Sequence, residues 1–130
     1  MKIIVKKVGR PCEVREVEKL ELEDMQNLVG GFVECMRLDF GIPEHTLEAD
    51  VWLNEEGKLH KLPPNVVLFN EGGIVDAIVG DIFIADSNDE GETIGLSDEQ
   101  CDIIPQVMSI LTPTIGNADH ETYEIPLIAV

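Results

Sequence analysis

Apolar residues recur along the chain with two different periods, and these periods predict where strands and helices lie. Alternating or continuous apolar residues, many of them β-branched, are typical of strands. Runs of this kind occupy residues 2–8, 12–17, 32–38, 50–53, 66–69 and 76–85. Gly80 interrupts the last run, which is the strongest candidate for a buried strand, and this position indicates a bulge or a close backbone approach.

Two other segments have the period of an amphipathic helix. Residues 22–29 place four apolar side chains on one face, and Gly30-Gly31 then ends the helix, because glycine readily adopts the left-handed cap conformation. Ser97 and Gln100 have the spacing of a capping box and predict the start of a second helix. Pro105 lies too deep for a first-turn proline, so we expect a kink or an early end there.

The order of these segments predicts an α+β fold. Hairpin turn chemistry and the lack of repeating βαβ spacing favour a mostly antiparallel sheet of about five to seven strands, with the two short helices packed on one side. Residues 1–111 are interpreted as a single globular domain and residues 112–130 as a C-terminal extension or arm. If that arm docks on a second copy, the protein is a homo-oligomer.

The segment from Asn54 to Asn65 carries the most specific turn chemistry in the chain. Residues 54–57 (Asn-Glu-Glu-Gly) predict a tight turn between a strand and a returning strand. Pro63-Pro64 then belongs at a sheet edge or in a loop, because proline cannot donate to a central ladder. The segment has no nucleophile–base pair, no metal-ligand spacing and no phosphate loop, so it constrains the fold rather than an activity.

Charge is strongly negative and unevenly placed. The formal net charge is −17, and all 9 lysines and arginines lie in the first 61 positions, whereas residues 62–130 contain only acids among their charged residues. Nucleic acids and anionic membranes need basic contacts, so neither is an expected partner, while a basic protein surface is. The candidate partner-binding residues are Asp86, Asp89, Glu90, Glu92, Asp98 and Glu99. The alternative is that the acids only keep the protein in solution.

Other candidate sites favour ordinary structural roles. Residues 86–91 match the start of a calcium-binding EF-hand loop, but Ser97 stands where a bidentate glutamate is needed, so a solvated hairpin loop is favoured. The three histidines lie far apart and do not indicate a zinc site. Cys35 is interpreted as a small buried strand residue rather than a nucleophile. We therefore predict no catalytic residue, no metal and no cofactor, and expect the protein not to be an enzyme.

The large aromatic residues leave one alternative open. Trp52 and Tyr123, together with Phe32, Phe69 and Phe83, form either part of the core or the lining of a pocket. A small-molecule-binding cleft near Trp52 is therefore the second interpretation.

Cysteine usage and hydropathy predict the compartment. Three widely spaced cysteines without a CxxC motif favour reduced thiols. The chain shows no secretory signal and no run of about 18 apolar residues. We therefore expect a cytoplasmic protein.

Four segments together resemble a known family, the domain of unknown function 3846. They are Leu28-Val29-Gly30-Gly31, Asn54-Glu55-Glu56-Gly57-Lys58-Leu59 with Leu62-Pro63-Pro64-Asn65, Ile78-Val79-Gly80-Asp81, and Leu96-Ser97-Asp98-Glu99-Gln100. The resemblance covers roughly residues 20–104. It implies a bacterial protein of a phage or another mobile element, and it supplies no catalytic residues.

These observations lead to one functional expectation. We expect an uncharacterised, non-catalytic accessory protein of a phage or mobile element that binds a host protein through an acidic surface. A DNA-mimic inhibitor is a special case, in which carboxylates would be spaced like phosphates.

Overall fold

The structure, a computed structural model, describes residues 1–70, 72–112, 114–115 and 123–124. The elements described there follow one another in this order: β1 (Lys2–Lys6), β2 (Glu13–Glu16), α1 (Leu22–Val29), β3 (Val33–Asp39), β4 (Glu48–Asn54), β5 (Pro64–Asn70), β6 (Gly73–Val79), β7 (Ile82–Ser87), β8 (Thr93–Ile94), α2 (Asp98–Leu111), β9 (Thr114–Ile115) and β10 (Tyr123–Glu124).

The described strands form one large sheet and two small ones. The large sheet has 6 strands, with the order β2-β1-β7-β4-β3 and with β8 paired to the end of β7. The hairpin β5–β6 and the pair β9–β10 are separate two-stranded sheets, and each of these pairings is antiparallel. The predicted α+β class and the mostly antiparallel sheet are confirmed.

The two helices pack on opposite faces of the large sheet, so the expectation that both lie on one side is wrong. Successive strand residues point to opposite faces, and the core is accordingly divided into two clusters. α2 and the hairpin β5–β6 cover the face that contains Ile4 and Ile84. α1 covers the other face, which contains Val5 and Phe83. Helical periodicity identifies an apolar stripe, but it does not specify which side of a sheet that stripe covers.

The apolar run over residues 76–85 is divided between two strands of different sheets. β6 ends at Val79 and β7 begins at Ile82, and Gly80 between them has a φ of 78°. The predicted buried strand is therefore two strands. Gly80 redirects the chain from the outer hairpin into the centre of the large sheet, because its positive φ is a conformation that other residues rarely adopt.

Residues 55–61 form consecutive turns instead of the predicted returning strand. The Gly57 amide donates to the Asn54 carbonyl oxygen at 3.1 Å, and the Leu62 amide donates to the Gly57 carbonyl oxygen at 3.0 Å. The chain then enters β5 at Pro64. Here the missing proline N–H falls at the start of an outer strand, as expected for a proline in a sheet.

Local capping signals are confirmed at both helices. Gly30 ends α1 with a φ of 77°. The Ser97 hydroxyl accepts from the Gln100 amide, and the Gln100 side chain accepts from the Ser97 amide, at the start of α2. Of the two alternatives expected at Pro105, a kink or an early end, the early end is wrong, because α2 continues to Leu111. A proline inside a helix costs about 3 kcal/mol, and the buried apolar face of α2 offsets that cost.

Most of the predicted C-terminal arm, residues 112–130, lies outside the described residues. Its proposed role in homo-oligomerisation therefore stays a prediction. Within it, Thr114–Ile115 pairs with Tyr123–Glu124. Neither helix in the described ranges is both long enough and apolar enough to cross a membrane.

Candidate functional site

The hairpin that joins β7 to β8 ends in an ordered acidic tip, formed by Asp89, Glu90 and Glu92. The side-chain oxygen of Asn88 accepts hydrogen bonds from the Glu90 and Glu92 amides, each at 3.0 Å. The Asn88 amide also donates to the Glu92 carbonyl oxygen at 3.0 Å. This arrangement fixes the backbone, while the three acidic residues are exposed. The predicted solvated hairpin loop is confirmed.

The three acids of the tip differ in their surroundings from the other three predicted partner-binding acids. In the described part of the chain, no lysine, arginine or histidine forms an ion pair with Asp89, Glu90 or Glu92. These exposed side chains therefore form an acidic group that no basic residue in the described part of the chain neutralises.

The other three predicted partner-binding acids contact basic side chains. Asp98 lies 3.0 Å from the ammonium of Lys2. Glu99 pairs with His45, and this carboxylate raises the pKa of His45 above its usual value. Asp86 is the third such acid. The structure thus separates the six predicted acids into three at the hairpin tip and three that contact basic side chains, Asp86 on β7 and Asp98 and Glu99 at the start of α2.

Asp86 lies at the base of the hairpin within a network of charges. One of its oxygens is 3.1 Å from Nη1 of Arg37, and the other accepts from the Gln100 side chain at 2.9 Å. Burial alone would raise the pKa of Asp86, but hydrogen bonds from Gln100, from the Ser87 amide and from Arg37 together lower it. The hydrogen bonds that Arg37 donates to the carboxylates of Asp50, Glu48 and Asp86 raise its pKa.

Ion pairs also occupy most basic residues elsewhere. Of the 9 lysines and arginines, five form ion pairs with described acids: Lys2, Arg15, Lys19, Arg37 and Lys58. Lys6 is buried, and burial lowers its pKa. Few basic side chains in the described part of the chain are therefore left to balance the excess of acidic side chains at the surface.

A cavity of about 560 Å³ lies at the C-terminal end of α1 and was not predicted from the sequence. It brings together two segments that are distant in sequence, one with Gly30 and Gly31 and the other with Asn54 and Glu56. Its lining includes Gln26, Asn27, Phe32, Glu56 and His60.

Asn54 holds the two segments of this cavity together. Its side-chain nitrogen donates to the Val29 carbonyl oxygen at 3.3 Å, and its side-chain oxygen accepts from the Glu56 amide at 2.8 Å. A Cβ atom on Gly31 would lie 2.8 Å from the same nitrogen. Glycine at position 31 therefore gives Asn54 the space to reach the end of the helix.

The aromatic residues do not line one common cleft. Trp52 stacks on Phe83 with ring centroids 5.9 Å apart, inside the cluster that α1 covers. Phe69 packs in the cluster on the opposite face, and Phe32 is exposed at the cavity. The side chain of Tyr123 lies outside the described residues. The sequence identified these residues, but not their division between the two faces.

Comparison with known proteins identifies the family. The sequence profile of the domain of unknown function DUF3846 matches residues 1–109. The chain belongs to this family. The match extends beyond the segments noted in the sequence and includes β1, β2 and most of α2. No curated protein and no solved structure matches the chain.

The cysteines of this DUF3846 domain and its potential metal ligands were each the subject of a prediction from the sequence. Its three cysteines are free, and Cys35 is exposed on β3, so the expected burial of that residue is wrong. Partial burial of the thiol and the nearby carboxylate of Asp50 raise the pKa of Cys35 to about 11. Within the described ranges, no group of three or more His, Cys, Asp or Glu side chains is placed to hold a metal ion.

Proposed function

We propose that this DUF3846 domain is a non-catalytic, cytoplasmic accessory protein that binds a basic surface of a partner protein through the acidic tip of the β7–β8 hairpin. The observation that carries this proposal is the set of three exposed carboxylates on a hydrogen-bonded loop. If the protein belongs to a phage or mobile element, as the family resemblance implies, the partner is a protein of the bacterial host.

Two physical arguments favour the three acids of the tip over the other three predicted acids. A preordered loop loses little conformational freedom on binding, so more of the electrostatic attraction remains as affinity. The other predicted acids, Asp86 on β7 and Asp98 and Glu99 at the start of α2, already have basic neighbours. A basic partner would have to replace those contacts before it gained its own. The tip acids are therefore the primary contacts in this proposal.

Capture of partners from a bacterial lysate, performed with matched charge variants, tests the proposal. One variant carries Asp89→Asn, Glu90→Gln and Glu92→Gln. The control carries Glu18→Gln, Glu34→Gln and Glu55→Gln, and changes the net charge equally. These three acids are exposed and form no ion pair with any residue that the structure describes. We expect the wild type and the control to capture the same basic protein in low salt, and the tip variant to lose it.

Salt dependence provides the second measurement. Exposed charges are screened over about 10 Å at 0.1 M salt and over about 3 Å at 1 M. Capture should therefore decline steeply as salt rises over that range. The proposal fails if no salt-sensitive partner is found, or if the tip variant and the control lose the partner to the same extent.

DNA mimicry is a narrower version of the same proposal. It requires that the captured protein bind nucleic acid at the surface that the tip contacts. Duplex DNA should then displace the DUF3846 domain from its partner in a competition measurement. Continued binding of both at saturating DNA would exclude mimicry and leave the broader proposal intact.

A further inference from the structure

The cavity at the end of α1 has features that favour a planar cation. We propose that it binds the guanidinium group of an arginine side chain presented by a basic partner protein. This inference rests on the proposed function in one respect only, namely that the arginine belongs to the basic partner protein. The binding chemistry rests on three separate features of the cavity: an exposed aromatic ring, a negative potential and free amide groups.

The exposed aromatic ring belongs to Phe32. It lies at the cavity with 61% of its surface accessible. Burial of such a side chain stabilises a fold by about 1.5–3 kcal/mol, and the exposed ring of Phe32 does not contribute this stabilisation. The face of an aromatic ring attracts cations, and guanidinium groups stack on such faces more often than ammonium groups do. Phe32 therefore provides one wall for an arginine.

The negative potential has two sources. The cavity lies at the C-terminal end of α1, where the helix dipole is negative, and the last turn of α1 contains no basic residue. The second source is the acidic side chain of Glu56, which lines the same cavity. Its ion-pair partner is His60, 3.3 Å away and exposed, which carries a charge only when protonated. Both sources disfavour phosphate ligands and favour a cation.

The free amide groups belong to Gln26 and Asn27, which line the cavity. Their side chains make no hydrogen bond to other groups in the described part of the protein. Each carries a carbonyl oxygen that can accept from a guanidinium, which presents five N–H donors in a plane. A lysine ammonium presents its three donors as a compact point and matches this arrangement less well.

Titration of the isotopically labelled protein, residues 1–130, with short peptides tests the proposal. The probe is acetyl-Gly-Arg-Gly-amide, and the two comparison peptides carry lysine or the neutral isostere citrulline in place of arginine. We expect saturable shifts of the Gly30, Gly31 and Phe32 amide resonances, with a Kd of about 1 mM for arginine. Lysine should bind several-fold more weakly, and citrulline should not saturate. Equal responses to arginine and citrulline would overturn the proposal.

Two neighbouring glutamates provide a matched pair of variants. Glu56 lines the cavity, whereas Glu55 lines a different cavity. We expect Glu56→Gln to weaken arginine binding at least about fivefold, and Glu55→Gln to leave it unchanged. Phe32→Leu should weaken it by a similar factor while preserving the fold, as judged from the remaining resonances. Equal effects of the two glutamate variants would contradict the proposed site.

The two proposals fail separately. The hairpin-tip variant should bind the arginine peptide as the wild type does, because its substitutions leave the cavity lining unchanged. Loss of capture by the tip variant without any arginine binding would reject the cavity proposal alone. Specific arginine binding without a salt-sensitive partner would reject the proposed function and retain the cavity.

Discussion

The guanidinium of Arg37 lies 3.1 Å from the carboxylate of Asp86, and this contact joins β3 to β7 across the intervening strand β4. Nη1 of Arg37 also lies 2.9 Å from the largely buried carboxylate of Asp50 on β4. Gln100 of α2 donates to Asp86 at 2.9 Å. One arginine therefore connects three strands of the sheet and, through Asp86, the start of α2.

Removing this arginine should destabilise the fold more than removing an ordinary surface cation. Arg37→Gln leaves Asp50 without its cation in a buried position, which is costly. Arg37 itself is half exposed, and solvent screening reduces the effect. We expect a loss of about 1–3 kcal/mol in the free energy of unfolding by urea. Arg15→Gln, which removes an exposed pair with Glu13, should cost less than about 1 kcal/mol. Equal losses would contradict the assigned role.

The lowered pKa of Asp86 predicts a specific acid sensitivity. A carboxyl group whose pKa is lower in the folded than in the unfolded protein stabilises the fold at pH above its unfolded value, which is about 3.9. That contribution is lost as pH falls from this value through the lowered pKa of Asp86. Asp86→Asn should therefore reduce the slope of stability against pH in this acidic range. An unchanged slope in the Asp86→Asn variant would be the contrary result.

The features that the sequence predicted correctly are determined by neighbouring residues. The cap at Gly30 and the capping box of Ser97 with Gln100 each depend on contacts within one helical turn. Strand positions likewise follow from local periodicity. The split at Gly80 was missed because an apolar run has the same appearance whether it belongs to one sheet or to two.

The features that the sequence did not predict depend on long-range geometry. Arg37 and Asp86 are 49 positions apart and meet only because β4 lies between β3 and β7. The cavity forms because the end of α1 meets the end of β4, where the Glu55 amide donates to the Phe32 carbonyl oxygen at 2.8 Å. The acids of the tip were predicted because they are neighbours in the sequence. Their difference from the three acids with basic neighbours could not be predicted, because it depends on how distant strands and helices pack together.

Asn65 on β5 is fully buried and links the β5–β6 hairpin to β1 of the large sheet. Its replacement should lower the free energy of unfolding. Its side-chain nitrogen donates to the Lys6 and Gly80 carbonyl oxygens, each at 2.8 Å. Its side-chain oxygen accepts from the buried ammonium of Lys6 at 2.9 Å. Asn65→Ala leaves these groups without that partner, and each unsatisfied buried group costs about 1–3 kcal/mol.

We therefore expect Asn65→Ala to lower the free energy of unfolding in urea by at least about 2 kcal/mol. Asn27→Ala provides the comparison, because the Asn27 side chain is exposed and makes no hydrogen bond in the described part of the chain. That substitution should change stability by less than about 0.5 kcal/mol. Similar losses of stability at both positions would show that the hydrogen bonds of Asn65 do not stabilise the contact between the hairpin and the large sheet.

Cys35 offers a chemical test of the non-catalytic proposal, since it is exposed and has a pKa raised to about 11. A nucleophilic cysteine requires a lowered pKa, because the thiolate is the reactive form. In a variant with Cys12→Ser and Cys101→Ser, alkylation by iodoacetamide at pH 8 should be at least about tenfold slower in the folded protein than in urea. The rate in the folded protein should keep rising with pH until about 11. A folded-state rate that already levels off near pH 7 would instead identify an activated thiol, and the protein could then no longer be regarded as lacking a candidate nucleophile.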